Sequence, residues 1–113
     1  MRRKALICLT TLVAVAAGLA PAAASGGAVA AGSHAVTLKN RLFHPGTLSI
    51  KRGESVTWLW RDGSTEHNVT FHGFHSRTMA GGSYTVRFLD RGTFSYRCTI
   101  HAAEGMRGRI VVH

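Results

Sequence analysis

Acidic residues are scarce in this chain: five Asp and Glu stand against 14 Lys and Arg in 113 residues, a formal charge of +9. That balance excludes an acidic tail or an acidic docking face. Among so few carboxylates there is no catalytic pair and no Ser/His/Asp constellation, so hydrolysis has no candidates. Cysteine is scarce as well. Cys8 and Cys98 are the only two, and Cys8 falls in an apolar leader, which excludes a disulfide framework. No stretch of ten residues carries helical periodicity, which excludes a bundle. No aromatic stands before Phe43, so a core must be built from the rest of the chain. That leaves about eighty residues, enough for one domain near the lower limit of self-sufficiency.

The first residues have a different character. Arg2, Arg3 and Lys4 form a basic start, Ala5 to Ala20 are apolar apart from Thr10, Thr11 and Gly18, and Pro21 precedes Ala22-Ala23-Ala24. This is the layout of an export signal, expected to be cleaved after Ala24. The apolar run is shorter than the roughly 20 residues of a spanning helix, so no membrane anchor is expected after cleavage. In an uncleaved precursor, residues 5–20 are expected as an isolated helix. Removing the three basic residues lowers the formal charge from +9 to +6. Residues 25–34 read as a flexible Gly/Ala/Ser spacer. The domain is therefore expected over 35–113, in the periplasm or the extracellular and cell-wall space. A solvated basic face is the expected use of the excess charge. No basic run is interleaved with aromatics as nucleic-acid binding would require.

From Ala35 onward the pattern is strands and turns. Segments 35–39, 48–50, 55–60, 67–71, 83–88, 93–98 and 109–112 are short and rich in β-branched and aromatic residues, as strands are. Turn signals separate them, among them Pro45-Gly46, Arg52-Gly53, Asp62-Gly63-Ser64 and Arg91-Gly92. Seven or so strands in this length, with turns this frequent, predict an all-β sandwich or small barrel. Alternation in 55–60 sets Val56, Trp58 and Trp60 on one face, and alternation in 83–88 does the same for Tyr84, Val86 and Phe88. Packing is the expected role of both tryptophans.

The chemistry lies near the C-terminus, where Cys98, His101 and Met106 fall within nine residues. An exported domain normally pairs or loses a cysteine, so a lone thiol there is buried, dimerising or liganded. Cys-x-x-His at a strand end directs both side chains to one point, Met106 can return along the same loop, and His67 opens an earlier strand. Two imidazoles, a thiolate and a weak thioether are the donors of a type 1 blue-copper site. Thiolate and thioether suit Cu(I), while the imidazoles suit Cu(II).

Phe43-x-Pro45, Gly53-Glu54-x-Val56-Thr57-Trp58, His67-Asn68-Val69, Gly92-Thr93-Phe94-x-Tyr96-x-Cys98-x-x-His101 and Gly105-Met106-x-Gly108-x-Ile110-Val111-Val112 together resemble the plastocyanin/amicyanin branch of the cupredoxins. The Cys-x2-His-x4-Met spacing is that of plastocyanin; amicyanin-type loops are two residues shorter. The resemblance implies an all-β Greek-key β-sandwich of about seven or eight strands and a single copper ion, with His67, Cys98 and His101 as equatorial ligands and Met106 as the axial one. It further implies that Asn68 hydrogen-bonds across to the ligand loop and that its amide faces the thiolate. Ile100 stands where the family usually has proline, so its N–H is expected to reach the Cys98 sulfur as an additional donor. The stretch from His67 to Cys98 is shorter than in plastocyanins, so the plant protein's docking partners do not carry over.

Neighbouring copper chemistries can be set aside. Arg97 and Thr99 flank Cys98 where multicopper oxidases and nitrite reductases carry a bridging His, and the loop has no second Cys for a dinuclear centre. His72 and His75, with His44, are weighed as a second metal site against an exposed loop. The resulting expectation is a monomeric, non-enzymatic one-electron carrier. His101, beside Ala102 and Ala103, is its electron port, and its redox partners are transient and acidic. A copper-delivery protein using the same ligands is the alternative, and a cupredoxin-shaped module without copper is the third reading.

Overall fold

The computed structural model describes residues 6–8 and 32–113. Nine strands form two sheets: β1 (Leu6–Cys8), β2 (Ser33–Lys39), β3 (Leu42–His44), β4 (Thr47–Ile50), β5 (Ser55–Trp60), β6 (Thr70–Phe71), β7 (Gly82–Phe88), β8 (Gly92–Arg97) and β9 (Arg107–Val112). One sheet runs β1-β7-β5-β2-β3 and the other β4-β9-β8-β6. Parallel pairs β2–β5 and β4–β9 sit among antiparallel neighbours. The chain thus crosses between sheets rather than meandering, as a Greek-key sandwich does.

The core lies between the sheets. Val56, Trp58 and Trp60 of β5 are buried, as are Val86 and Phe88 of β7, Tyr96 of β8 and Ile110 and Val112 of β9. Trp58 sets its ring edge-on to Phe71 and to Tyr96, with centroids 5.6 and 5.3 Å apart. Edge-to-face pairs of this kind add stabilisation beyond their buried area. Burial pushes the Tyr96 hydroxyl up to about 12, offset in part by the Trp58 side chain.

Three expectations need correction. The spacer ends earlier than residue 34. Ser33 and His34 already pair with Ser55 and Val56, and the His34 ring lies 2.9 Å from the Glu54 carboxylate. Gly/Ala-rich composition hid a strand whose pairing comes from a partner distant in sequence. Next, β3 was not foreseen. It follows β2 through a two-residue turn at Asn40 and Arg41, both left-handed at φ 55° and 57°, without the glycine that usually announces such a turn. Finally, the helix expected over 5–20 is not what residues 6–8 form, since Leu6–Cys8 pairs antiparallel with Val86–Phe88 at the sheet edge. Apart from these three residues, the expected signal peptide (1–24) lies outside the described residues. So does the spacer (25–34) up to residue 31. Among the described residues no helix is long and apolar enough to cross a membrane.

Gly108 shows how tightly the second sheet closes. It faces Tyr96 across β8–β9, and a Cβ there would lie 2.6 Å from the Tyr96 ring and hydroxyl and 3.0 Å from the Gly46 carbonyl. Neither the buried ring nor the backbone can easily withdraw. Gly108→Ala is expected to destabilise the domain by about 1–3 kcal/mol, the usual cost of overpacking, read as a lower urea midpoint at unchanged m-value.

Candidate metal centre

Two loops at one end of the sandwich supply the site. The β5–β6 connection carries Asp62, His67 and Asn68, and the β8–β9 connection carries Cys98, His101 and Met106. The ligand-capable atoms of His67, Cys98 and His101 all lie within 4.8 Å of one another, the only such group of His, Cys, Asp or Glu among the described residues. The two imidazole Nδ1 atoms are 3.1 Å apart, and the Cys98 sulfur lies 3.6 Å from Nδ1 of His101 and 3.9 Å from that of His67. His67, Cys98 and Met106 are fully buried, while His101 keeps 7% of its surface exposed. Lone pairs from two imidazoles and a thiol converge in an apolar surround, where polar atoms are costly unless something binds them. A nitrogen and sulfur donor set of this kind fits copper.

Each side chain is held from behind. His67 exchanges backbone hydrogen bonds with Met79 at 2.9 and 3.1 Å, and its carbonyl also accepts from the Trp60 indole at 3.0 Å. On the other loop the Cys98 amide donates to the Met106 carbonyl at 3.1 Å, and the Met106 amide to the His101 carbonyl at 3.2 Å. A single 3-10 turn, Ala102–Glu104, joins them and ends at Gly105 with φ 96°, a conformation that favours glycine. These bonds extend the β8–β9 ladder beyond the Arg97–Arg107 pair and fix the path of the loop that carries thiol, imidazole and thioether.

Asn68 fastens one loop to the other. Its Nδ2 donates to Thr99 Oγ1 at 2.8 Å and Thr78 Oγ1 at 3.0 Å, while its Oδ1 accepts from the Thr99 amide at 3.0 Å and the Thr70 hydroxyl at 2.9 Å. Two of these four bonds lock the neighbour of His67 to the neighbour of Cys98, and the other two tie Asn68 to Thr78 and Thr70.

Asp62 was read from sequence only as a turn residue, yet its Oδ2 lies 2.7 Å from Nε2 of His67. The only signal was an acidic residue five positions before the histidine in a chain with few acids. Its carboxyl is held below its usual range, first by the hydrogen bond from His67 and further by the backbone amides of Arg41 and Asn40.

The expectation for Ile100 is not met. Its side chain is 49% exposed, and among the described residues the Cys98 sulfur has the two imidazoles as hydrogen-bonding neighbours, not the amides of Ile100 or Asn68. The tight turn into Ala102–Glu104 lifts Ile100 to the surface. His72, His75 and His44 do not gather. His75 contacts its neighbour's carbonyl on Ser76, and His44 the Lys39 carbonyl.

Comparison with known proteins decides the family. The profile of copper binding proteins of the plastocyanin/azurin family matches residues 30–113. The chain belongs to that family. It is 32% identical over 85 residues to the plastocyanin of Scenedesmus fuscus, covering 63% of this chain and 86% of that protein. To the amicyanin of Paracoccus denitrificans it is 33% identical over 92 residues, covering 74% and 68%. Among solved structures, a methionine-to-alanine variant of amicyanin in its Cu(I) form superposes with a TM-score of 0.66 at 31% identity, over 75% of this chain and 86% of that one. Family and donor set agree on copper as the cofactor.

Asn68→Ala removes all four bonds and takes away the acceptor of the Thr99 amide, a part-buried hydrogen bond. The metal-free protein is expected to lose about 1–2 kcal/mol, since a typical hydrogen bond contributes about 0.5–1.5 kcal/mol net and the freed partners can turn to water. Chemical denaturation without copper measures it.

Proposed function

We propose that this protein is an exported blue copper protein that carries single electrons between other proteins and catalyses no reaction of its own. The observation that carries the reading is the buried convergence of His67, Cys98 and His101, locked by hydrogen bonds from both loops. Bound copper would supply the one-electron couple. The chain's part would be to hold it with the imidazoles of His67 and His101, the Cys98 thiol and the Met106 thioether in one arrangement, so that little needs to move between oxidation states. His101 is the donor nearest solvent, and Ala102 and Ala103 beside it are small enough for a partner to approach closely. Its ring edge is the proposed port for electron transfer. Export rests on the leader at 1–24, which the signal peptidase would remove.

Copper delivery would use the same ligands but release the ion. Fully buried donors tied down through Asp62, Met79 and Asn68 favour retention. A copper-loaded chain of residues 25–113 is expected to keep its metal through repeated oxidation and reduction in the presence of a mild chelator; transfer of the ion to the chelator would favour delivery.

Cys98→Ser should abolish the intense visible charge-transfer band while far-UV circular dichroism stays unchanged, because the colour needs the thiolate and the sandwich does not. A variant that remains blue would remove Cys98 from the ligand set. A second expectation concerns partners. With +6 on residues 25–113, association with an acidic redox partner is steered electrostatically, so its rate constant should fall as ionic strength rises. Stopped-flow transfer across a salt series measures it, and a rate that climbs with salt would point to a basic partner.

A further inference from the structure

The turn at Asn40 and Arg41 is the most strained feature of the described backbone. Both residues adopt the left-handed region, which is unfavourable for a side chain such as arginine. Strain of this kind persists where the surroundings demand it, and it tends to sit near functional sites. Here it aims the Arg41 amide at Asp62, donating to Oδ2 at 3.1 Å. That same oxygen lies 2.7 Å from Nε2 of His67. A carboxylate only accepts, so Nε2 carries the proton, and in the neutral ring Nδ1 then presents its lone pair toward Cys98 and His101. The His67 side chain is fully buried and that of Asp62 is 17% exposed, so the pair is largely shielded from water.

We propose that Asp62, positioned by the β2–β3 turn, is a tuning residue of the copper centre: it fixes His67 in the Nε2–H tautomer and makes its Nδ1 a stronger donor, which stabilises Cu(II) over Cu(I). An anionic acceptor behind an imidazole polarises the ring and raises its basicity. The oxidised ion draws more on that donation than the reduced one, because imidazole is the harder ligand of the set and the thiolate and thioether already satisfy Cu(I). Asp62 does not touch the metal site itself; it acts through His67. The turn gives a reason why a carboxylate rather than a neutral group stands there. The Arg41 amide, donating to Asp62 Oδ2 at 3.1 Å, suits a carboxylate acceptor and holds the side chain against rotating away.

This inference rests on the copper-carrier reading, and its test separates the two. Wild-type protein loaded with copper must first show the visible charge-transfer band; its absence would overturn the carrier reading, whatever Asp62 does. Given a blue wild type, Asp62→Asn keeps the shape of the side chain and removes its charge. Second-sphere losses of this kind cost about 10–100-fold in metal affinity. Here the loss should fall on Cu(II) and much less on Cu(I), measured by competition with a chelator for each ion. Each tenfold difference between them raises the reduction potential by about 59 mV for a one-electron couple, read by voltammetry. An unmoved potential, whether affinities stay the same or fall together, would show that Asp62 only supports the fold and would overturn the proposal. Should Asp62→Asn fail to fold, the wild type still decides. Nitrogen-15 NMR of the Cu(I) form should find the His67 proton on Nε2 and coupled to a carboxylate acceptor, and an Nε2 without a proton would overturn it.

Discussion

Everything in this molecule depends on bringing two imidazole nitrogens and a sulfur to one buried point. His67 and His101 set their Nδ1 atoms 3.1 Å apart with the Cys98 sulfur close by. Burying polar atoms face to face is unfavourable unless each is oriented and partnered. The fold answers with hydrogen bonds arriving from outside the cluster: Met79 and Trp60 on the His67 backbone, Asp62 on its ring, and Asn68 across to Thr99. The sandwich supplies a rigid wall, but these bonds set the geometry. Rigidity of the donors is what a one-electron carrier needs, because atoms that must move between oxidation states slow the transfer.

How much of this could be read from the chain alone follows from distance along it. Cys98, His101 and Met106 lie within nine residues, and a loop that short can only bring them together, so spacing revealed them. His67 sits thirty-one positions before Cys98, and it was legible through its Asn-Val neighbours rather than through geometry. Strands β5, β7 and β8 were legible because alternation and aromatic content agree there. By contrast, Asp62 was opaque. Asp-Gly-Ser is a turn by any local rule, and its second task exists only because the β5–β6 loop doubles back over His67. Ser33 and His34 were opaque for a related reason, since their strand is created by parallel pairing with β5 and owes nothing to local propensity.

Ile100 illustrates the opposite error. Replacing a proline restores an N–H, and the natural inference is that the amide will find the nearest acceptor. Yet the loop's own backbone bonds, from Cys98 to Met106 and from Met106 to His101, fix the path before that choice arises. The turn they produce sends Ile100 outward. A donor gained in sequence becomes a contact only when the local path points it there.

The scarcity of acid takes on meaning once the pairs are located. Of five Asp and Glu, Glu54 contacts His34, Asp62 contacts His67, and Glu104 lies 3.3 Å from Arg41. Two of these three stand at the metal end, and both engage the β2–β3 turn, Asp62 through the Arg41 backbone and Glu104 through its side chain. The turn therefore touches both loops that carry the ligands. Five acids offset only part of the charge of 14 Lys and Arg wherever they stand, so the net field is positive. The field felt by an approaching protein is then set by the unmatched basic residues, such as Arg61, Arg97 and Arg107, all exposed. A positive long-range field and short-range order at the metal end thus arise together from the number and placement of very few acids.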